Sequence, residues 1–289
     1  MVSIYGKKNR ILDALAYALI YMSAAFSVFL LVGIVAFVFL NGFDKVNGEF
    51  LTTTSSILRG TVGIAGNILN TIYIILLTML IVTPIGVGTA IYLNEYAKPG
   101  KFVKLIELAT ETLSGIPSII FGLFGMMFFG ETLGLSYSIL TGTLTLTLMV
   151  LPLVTRNTQE ALKTVPDSYR NGAIGLGTGK WYMIRTILLP SAMPGIITGV
   201  ILAIGRIVGE SAALLYTAGS GDLLPVGIKG YLNKIFESGG TLTIQLYLSA
   251  TKGEYDVAFG IAVVLLVVVL GINFITKFLA KKFDVNNLK

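Results

Sequence analysis

The sequence predicts an all-α integral membrane protein with six transmembrane helices. Three observations lead there. The chain is 54% hydrophobic and 12% charged, with mean hydropathy +0.83, whereas a soluble domain carries roughly 25% charged residues. Its apolar residues gather into runs near the ~20 residues that a helix needs to cross the hydrocarbon core. Its Lys and Arg residues fall mostly in alternate connecting segments, the bias that fixes the orientation of helical membrane proteins.

Taken in order, residues 1–12 carry Lys7, Lys8 and Arg10, and an apolar run follows to Leu40. That run exceeds the roughly 7–15 apolar residues of a cleaved secretory signal, so it reads as a retained helix over about 17–40. Residues 41–66 are polar and rich in Gly and Thr. The second span covers about 67–93, with Pro84, Gly86 and Gly88 marking a bend or a close helix contact. A short link bearing Lys98, Lys101 and Lys104 leads to a third span at about 113–130 and a fourth at about 133–155. The segment 156–190 is a long polar stretch between two spans. The fifth span follows at about 191–216, a polar segment at 217–256, and the sixth span at about 257–276. The whole chain is read as one membrane domain.

Of the 21 Lys and Arg residues, Lys45, Arg59, Lys229, Lys234 and Lys252 lie in outer segments and Arg206 within a span, while all the rest fall on the other side. This places both termini and segment 156–190 in the cytoplasm of a multi-pass protein of the cell membrane. With no Cys and no His, disulfides, thiol nucleophiles, imidazole bases and most transition-metal sites are excluded. The run GLGTGK has the look of a phosphate loop. That pattern needs Gly five residues before the Gly-Lys pair and Ser or Thr after it, and Ile174 and Trp181 stand there instead. No nucleotide, cofactor, metal or nucleic acid is expected on this chain.

Segment 156–190 carries Arg156, Lys163, Arg170, Lys180 and Arg185. Two short helices can be read in it. Pro166 and Asp167 suit the opening turn of the first. Tyr169, Ala173 and Leu176 then share a face, and Gly177 supplies the stop. Thr178 would cap the second, with Trp181, Ile184 and Leu188 on one side. Such a hairpin is either a docking element or an ordinary amphipathic loop.

The other distinctive feature is Arg206 and Glu210 in GRIVGES. Arg206 lies twelve residues past Pro194, about 18 Å along a helix and therefore near the middle of a ~30 Å hydrocarbon core. Ser191, Gly195, Gly199 and Ala203 recur every four residues as a small-residue seam. Arg206 and Glu210 each follow a seam member by seven residues, which puts them on the same face. Their i, i+4 spacing allows an ion pair. Either the pair locks helices together, or the planar guanidinium is placed for an oxyanion that Glu210 holds or releases. Thr141, Thr143, Thr145 and Thr147 spread around the fourth span and bond back to their own turns. Glu107 and Glu111 read as solvated flanks of the third.

NGAIGLGTGKWYMIRTILLP has the spacing of the cytoplasmic coupling motif of ABC importer permeases: three residues, three more, Gly177, nine residues, then Ile187, Leu189 and Pro190. Asn171, Gly172 and Ala173 stand where the family has Glu-Ala-Ala, so the acidic residue is missing. EALKTVP, SGIPSIIFGLFG, LPSAMPGIITGVILAIGRIVGESAALLYTAG and TLTIQLYLSATKGEYDVAFG are similar to the phosphate branch of that family, the last to its A-type subunit. The resemblance implies a type I ABC importer permease fold with a cytoplasmic coupling helix. It implies a non-catalytic subunit that pairs with a C-type (PstC-type) permease, two PstB-type ATPases carrying ATP and Mg, and a PstS-type binding protein docking on 217–256. It further implies substrate-pathway roles for Arg206, Glu210 and Arg156. ATPase coupling would fall to Asp167, Tyr169, Arg170, Asn171, Gly172, Ala173, Leu176, Gly177 and Pro190. A permease for molybdate or sulfate, or an ion-coupled carrier or channel, remains the alternative.

Overall fold

The structure, a computed structural model, describes residues 10–56, 60–98 and 100–283. Lys7, Lys8, Arg59 and Lys289, counted among the orienting charges, lie outside the described residues. Helix α1 (Arg10–Gly42) is apolar on every side and exposed along nearly its whole length, the surface of a helix solvated by lipid rather than water. Its main contact is with the last helix, where Gly42 lets the backbones meet at Phe259 and where Phe37 and Phe259 form an edge-to-face pair at 5.6 Å.

Residues 41–66, expected as a polar connection, are folded. Asn47 caps α2 (Gly48–Thr52) by accepting from the Phe50 N–H at 2.8 Å. Strands β1 (Thr54–Ser56) and β2 (Thr61–Ile64) pair antiparallel, with Thr54 opposite Ile64 and Ser56 opposite Thr61. Phe50 and Ile64 bury themselves in a small core with Leu242, Ile261 and Val264, so burial of these two apolar side chains ties the hairpin to the bundle.

Helix α3 (Ala65–Ile91) continues through a wider π-helical turn, Tyr92–Tyr96, as one 32-residue stretch. It runs past Pro84 without a break. Of the two glycines expected to permit close packing, Gly86 does so: a Cβ there would lie 2.8 Å from Val154 Cγ1, whereas Gly88 faces open space.

The third span is not one helix. Helix α4 (Lys101–Gly115) is amphipathic with no buried residue. It meets α5 (Ser118–Gly125), extended by a π-helical segment to Thr132, at 105°. Pro117 is the reason: it disfavours helical backbone at the preceding residue, and Ile116 is extended. Among the described residues, five helices are long and apolar enough to cross a membrane, and six if this bent pair is one span.

Helix α6 (Ile139–Lys163) forms the centre of the bundle and is its most enclosed span. Ser138 caps it through the Thr141 N–H at 3.1 Å. Thr141, Thr143, Thr145 and Thr147 are all buried. Thr145 and Thr147 donate to the carbonyls four residues back, as expected, while Thr141 donates to Ser136. The helix includes Arg156–Lys163, the first part of the segment read as a loop.

A turn then leads to α7 (Asp167–Gly175) and α8 (Lys180–Met183). α8 passes without interruption through a π-helical turn, Ile184–Leu188, into α9 (Leu189–Val208). Pro190 does not break this helix. The π-widened turn before it accommodates the missing N–H and the ring, so the second hairpin helix and the fifth span are a single rod. The fifth span instead ends at Val208, and α10 (Ala212–Thr217) starts after a gap; a continuous helix over 191–216 is not present.

Beyond α10 the chain folds back through α11 (Gly227–Asn233), a 3-10 turn and α12 (Leu242–Thr251) to α13 (Tyr255–Phe283). Segment 217–256 is thus partly core. Leu242, Thr243 and Ile244 are buried, while Leu223, Val226, Ile228, Leu232 and Phe236 present an exposed apolar row. Asn67 and Asn70 of α3 clip the segment down by donating to the Gly240 carbonyl, and Asn70 also reaches that of Gly221.

Candidate functional site

The small-residue seam of α9 packs on α6: a Cβ on Gly195 would meet Ala161 and one on Gly199 would meet Asn157, while Ala203 is fully buried. Arg206 continues along this seam into a cleft of about 390 Å³ between α4, α6 and α9. Ser114, Pro152, Arg156, Asn157 and Glu160 share the wall. The cleft adjoins a second one of about 300 Å³ lined by Glu107, Glu111, Gln159 and Lys163, with Arg156 and Glu160 common to both. The glutamates read as solvated flanks of the third span are exposed and line this polar cleft.

Among the described residues, Arg206 makes no ion pair and no hydrogen bond. The expected pairing with Glu210 is absent. Glu210 lies just past the end of α9, where the i, i+4 geometry of a continuous helix no longer holds. Its carboxylate instead accepts from the Ala213 N–H at 3.0 Å, satisfying an orphan donor at the start of α10. Glu210 is a buried capping residue. Arg206 is left exposed on the cleft wall with no partner among the described residues, and Arg156 is held at 3.8 Å by Glu160 in an exposed pair.

At the α7 end, α7 begins at Asp167 after Pro166 as expected, and Gly177 takes φ +74° to reverse the chain. The face assigned to Tyr169, Ala173 and Leu176 is divided between core and surface. Ala173 is buried, but Tyr169 is 50% and Leu176 85% exposed, because α7 stops at Gly175 and Leu176 lies beyond its helical path. Likewise Ile184 and Leu188 are buried while Trp181 is 61% exposed. Thr178 caps nothing; its hydroxyl donates back to the Ala173 carbonyl at 2.8 Å. Tyr169, Ile174, Leu176, Trp181 and Tyr182 thus leave an exposed apolar surface, with Asn171 and Gly172 exposed beside it. An apolar cluster of this kind marks an interaction site.

Arg170, read as part of the docking surface, turns inward, its side chain 18% exposed. It bonds Glu95 at 3.0 Å and Asp167 at 3.1 Å and donates to the carbonyls of Leu162 and Val165. Sequence reasoning missed Glu95, although it is the lone acidic residue between Glu49 and Glu107.

A multi-span helical bundle with an amphipathic hairpin at one end and a polar cleft behind it defines a membrane component built to dock a partner. The model of the family described as binding-protein-dependent transport system inner membrane component matches residues 83–285. The chain belongs to that family. It is 36% identical over 282 residues to the probable ABC transporter permease protein YqgI of Bacillus subtilis, covering 94% of this chain and 96% of the relative. It is 34% identical over 277 residues to the phosphate transport system permease protein PstA of Mycobacterium leprae, covering 92% and 88%. A chain of the bacterial alginate ABC transporter crystallised with its alginate pentasaccharide-bound periplasmic protein superposes with a TM-score of 0.70 over 96% of this chain and 98% of that one, at 16% identity. The fold is that of a type I ABC importer permease.

Proposed function

We propose that this chain is the A-type permease subunit of an ATP-driven phosphate importer, forming half of the translocation pathway in the cell membrane. Both termini and the α7–α8 hairpin face the cytoplasm. A homologous PstC-type permease completes the pathway. Two PstB-type ATPases carry ATP and Mg and grip the hairpins, and a PstS-type binding protein delivers phosphate to segment 217–256. The chain itself hydrolyses nothing and binds no nucleotide. Family membership, the phosphate permease among its relatives and the exposed apolar hairpin support this reading.

The observation that carries the anion assignment is the unpartnered Arg206 guanidinium in a polar cleft. A cation within a membrane span costs roughly 2.5–3.5 kcal/mol on insertion scales and is retained where it meets water or a substrate. Its forked donors match a phosphate oxygen pair. Arg156, already engaged by Glu160, offers a second cation further along the same wall.

The test is uptake into vesicles that hold the full complex, with binding protein outside. Phosphate should accumulate only when ATP is trapped within. Uptake driven by an ion gradient alone would overturn the importer reading, and preferential uptake of molybdate or sulfate would overturn the choice of anion.

A further inference from the structure

One side chain joins the α7–α8 hairpin to the adjoining end of α3. Arg170 donates to the Leu162 and Val165 carbonyls, which lie at and just beyond the end of α6, and its Nη2 and Nε reach the Glu95 carboxylate at 3.0 and 3.4 Å. Glu95 sits in the π-helical turn that ends α3, its side chain only 5% exposed, and also accepts from Asn94 at 2.7 Å. Lys180 of α8 lies over the Tyr96 ring of the same turn at 4.8 Å. Both hairpin helices therefore hold the end of α3 by charged groups that single variants can remove.

The other end of that rod is held as well. The stretch Ala65–Tyr96 has 32 residues, about 48 Å at 1.5 Å per residue. At its start, Asn67 and Asn70 hold the backbone carbonyls of Gly221 and Gly240. Gly66 meets the Asp222 backbone so closely that no side chain fits between them. A helix whose path is unbroken, as this one is through Pro84, transmits an axial displacement, and packed interfaces of this kind shift between discrete arrangements rather than deforming smoothly.

We propose that the Glu95–Arg170 pair is the linkage through which movement of the α7–α8 hairpin reaches α3 and, along it, segment 218–241 at the opposite end. Glu95 is a positioning residue: it touches neither a transported anion nor a nucleotide. The linkage deepens the importer reading and rests on it for the identity of what moves the hairpin.

The experiment uses the reconstituted complex and compares wild type with Glu95→Ala and Glu95→Gln. The stimulation of ATP hydrolysis by phosphate-loaded binding protein reports a signal crossing from one end to the other. Glu95→Ala should keep basal hydrolysis and assembly, yet lower that stimulation and the phosphate carried per ATP at least about fivefold. Glu95→Gln keeps an acceptor for Arg170 and should fall between. Unchanged stimulation in Glu95→Ala, or loss of assembly in both variants, would overturn the linkage and leave a structural contact. Hydrogen–deuterium exchange on the same preparations reads the joint without reference to the cargo. Glu95→Ala should raise exchange at Asp167–Gly175 and at Tyr92–Tyr96 and leave α13 unchanged; no rise there also overturns the proposal. A wild-type complex that carries no phosphate would fault the importer reading instead, with the exchange result still deciding the linkage.

Discussion

Replacing Arg206 with Ala separates anion handling from folding. Arg206 is exposed and bonded to none of the described residues, so its removal should change stability by no more than about 0.5 kcal/mol, the range of surface substitutions that break no buried contact. Its attraction for a monoanion at about 4 Å lies between about 1 kcal/mol in bulk water and about 4 kcal/mol near a protein surface. Since about 1.4 kcal/mol is a factor of ten, phosphate uptake at subsaturating concentration should fall roughly fivefold to several hundredfold. Arg206→Lys keeps the charge without the fork and should be intermediate. Assembly is checked by co-purification of all subunits, and transport by radiolabelled phosphate uptake into ATP-loaded vesicles. Wild-type uptake by an assembled Arg206→Ala complex would refute the argument and reduce the residue to a tolerated surface charge.

Three further outcomes follow from the same geometry. Glu210→Ala removes the cap on α10 and should lower stability by about 1 kcal/mol, seen as a lower Tm with uptake retained; a transport defect as deep as that of Arg206→Ala at unchanged Tm would contradict the capping role. Gly86→Leu forces a side chain against Val154, 2.8 Å from the glycine's Cβ direction, and should destabilise the α3–α6 contact by about 1–3 kcal/mol; an unchanged Tm would show that the contact is looser than described. Leu176→Asp combined with Trp181→Asp places charge on two exposed apolar side chains. The chain should still insert and fold while ATPase subunits no longer co-purify, and retention of the ATPase would move the docking surface elsewhere.

Much of the architecture was readable from residue order because it depends on local length scales. An apolar run of about 20 residues crosses a bilayer whatever its neighbours do, so α1, α3 and α13 fall where hydropathy puts them, whereas α6, expected over about 133–155, runs from Ile139 to Lys163. Gly177 and Pro166 announce their turns because backbone φ is a property of the residue itself. The 105° bend at Pro117 was legible in principle from the proline, but a window averaged over 113–130 smooths it away.

Other features were decided only when the chain closed on itself. The spacing of Arg206 and Glu210 allows an ion pair on a continuous helix, and that helix stops between them, so one becomes a cap and the other an open cation. Arg170 has the composition of a surface residue, yet it turns inward because Glu95, distant in sequence, waits at the end of α3. Local sequence carries hydrophobicity, backbone preference and helix period. Which charge meets which, and whether a helix survives to bring them together, depends on packing between segments that only the folded bundle makes neighbours.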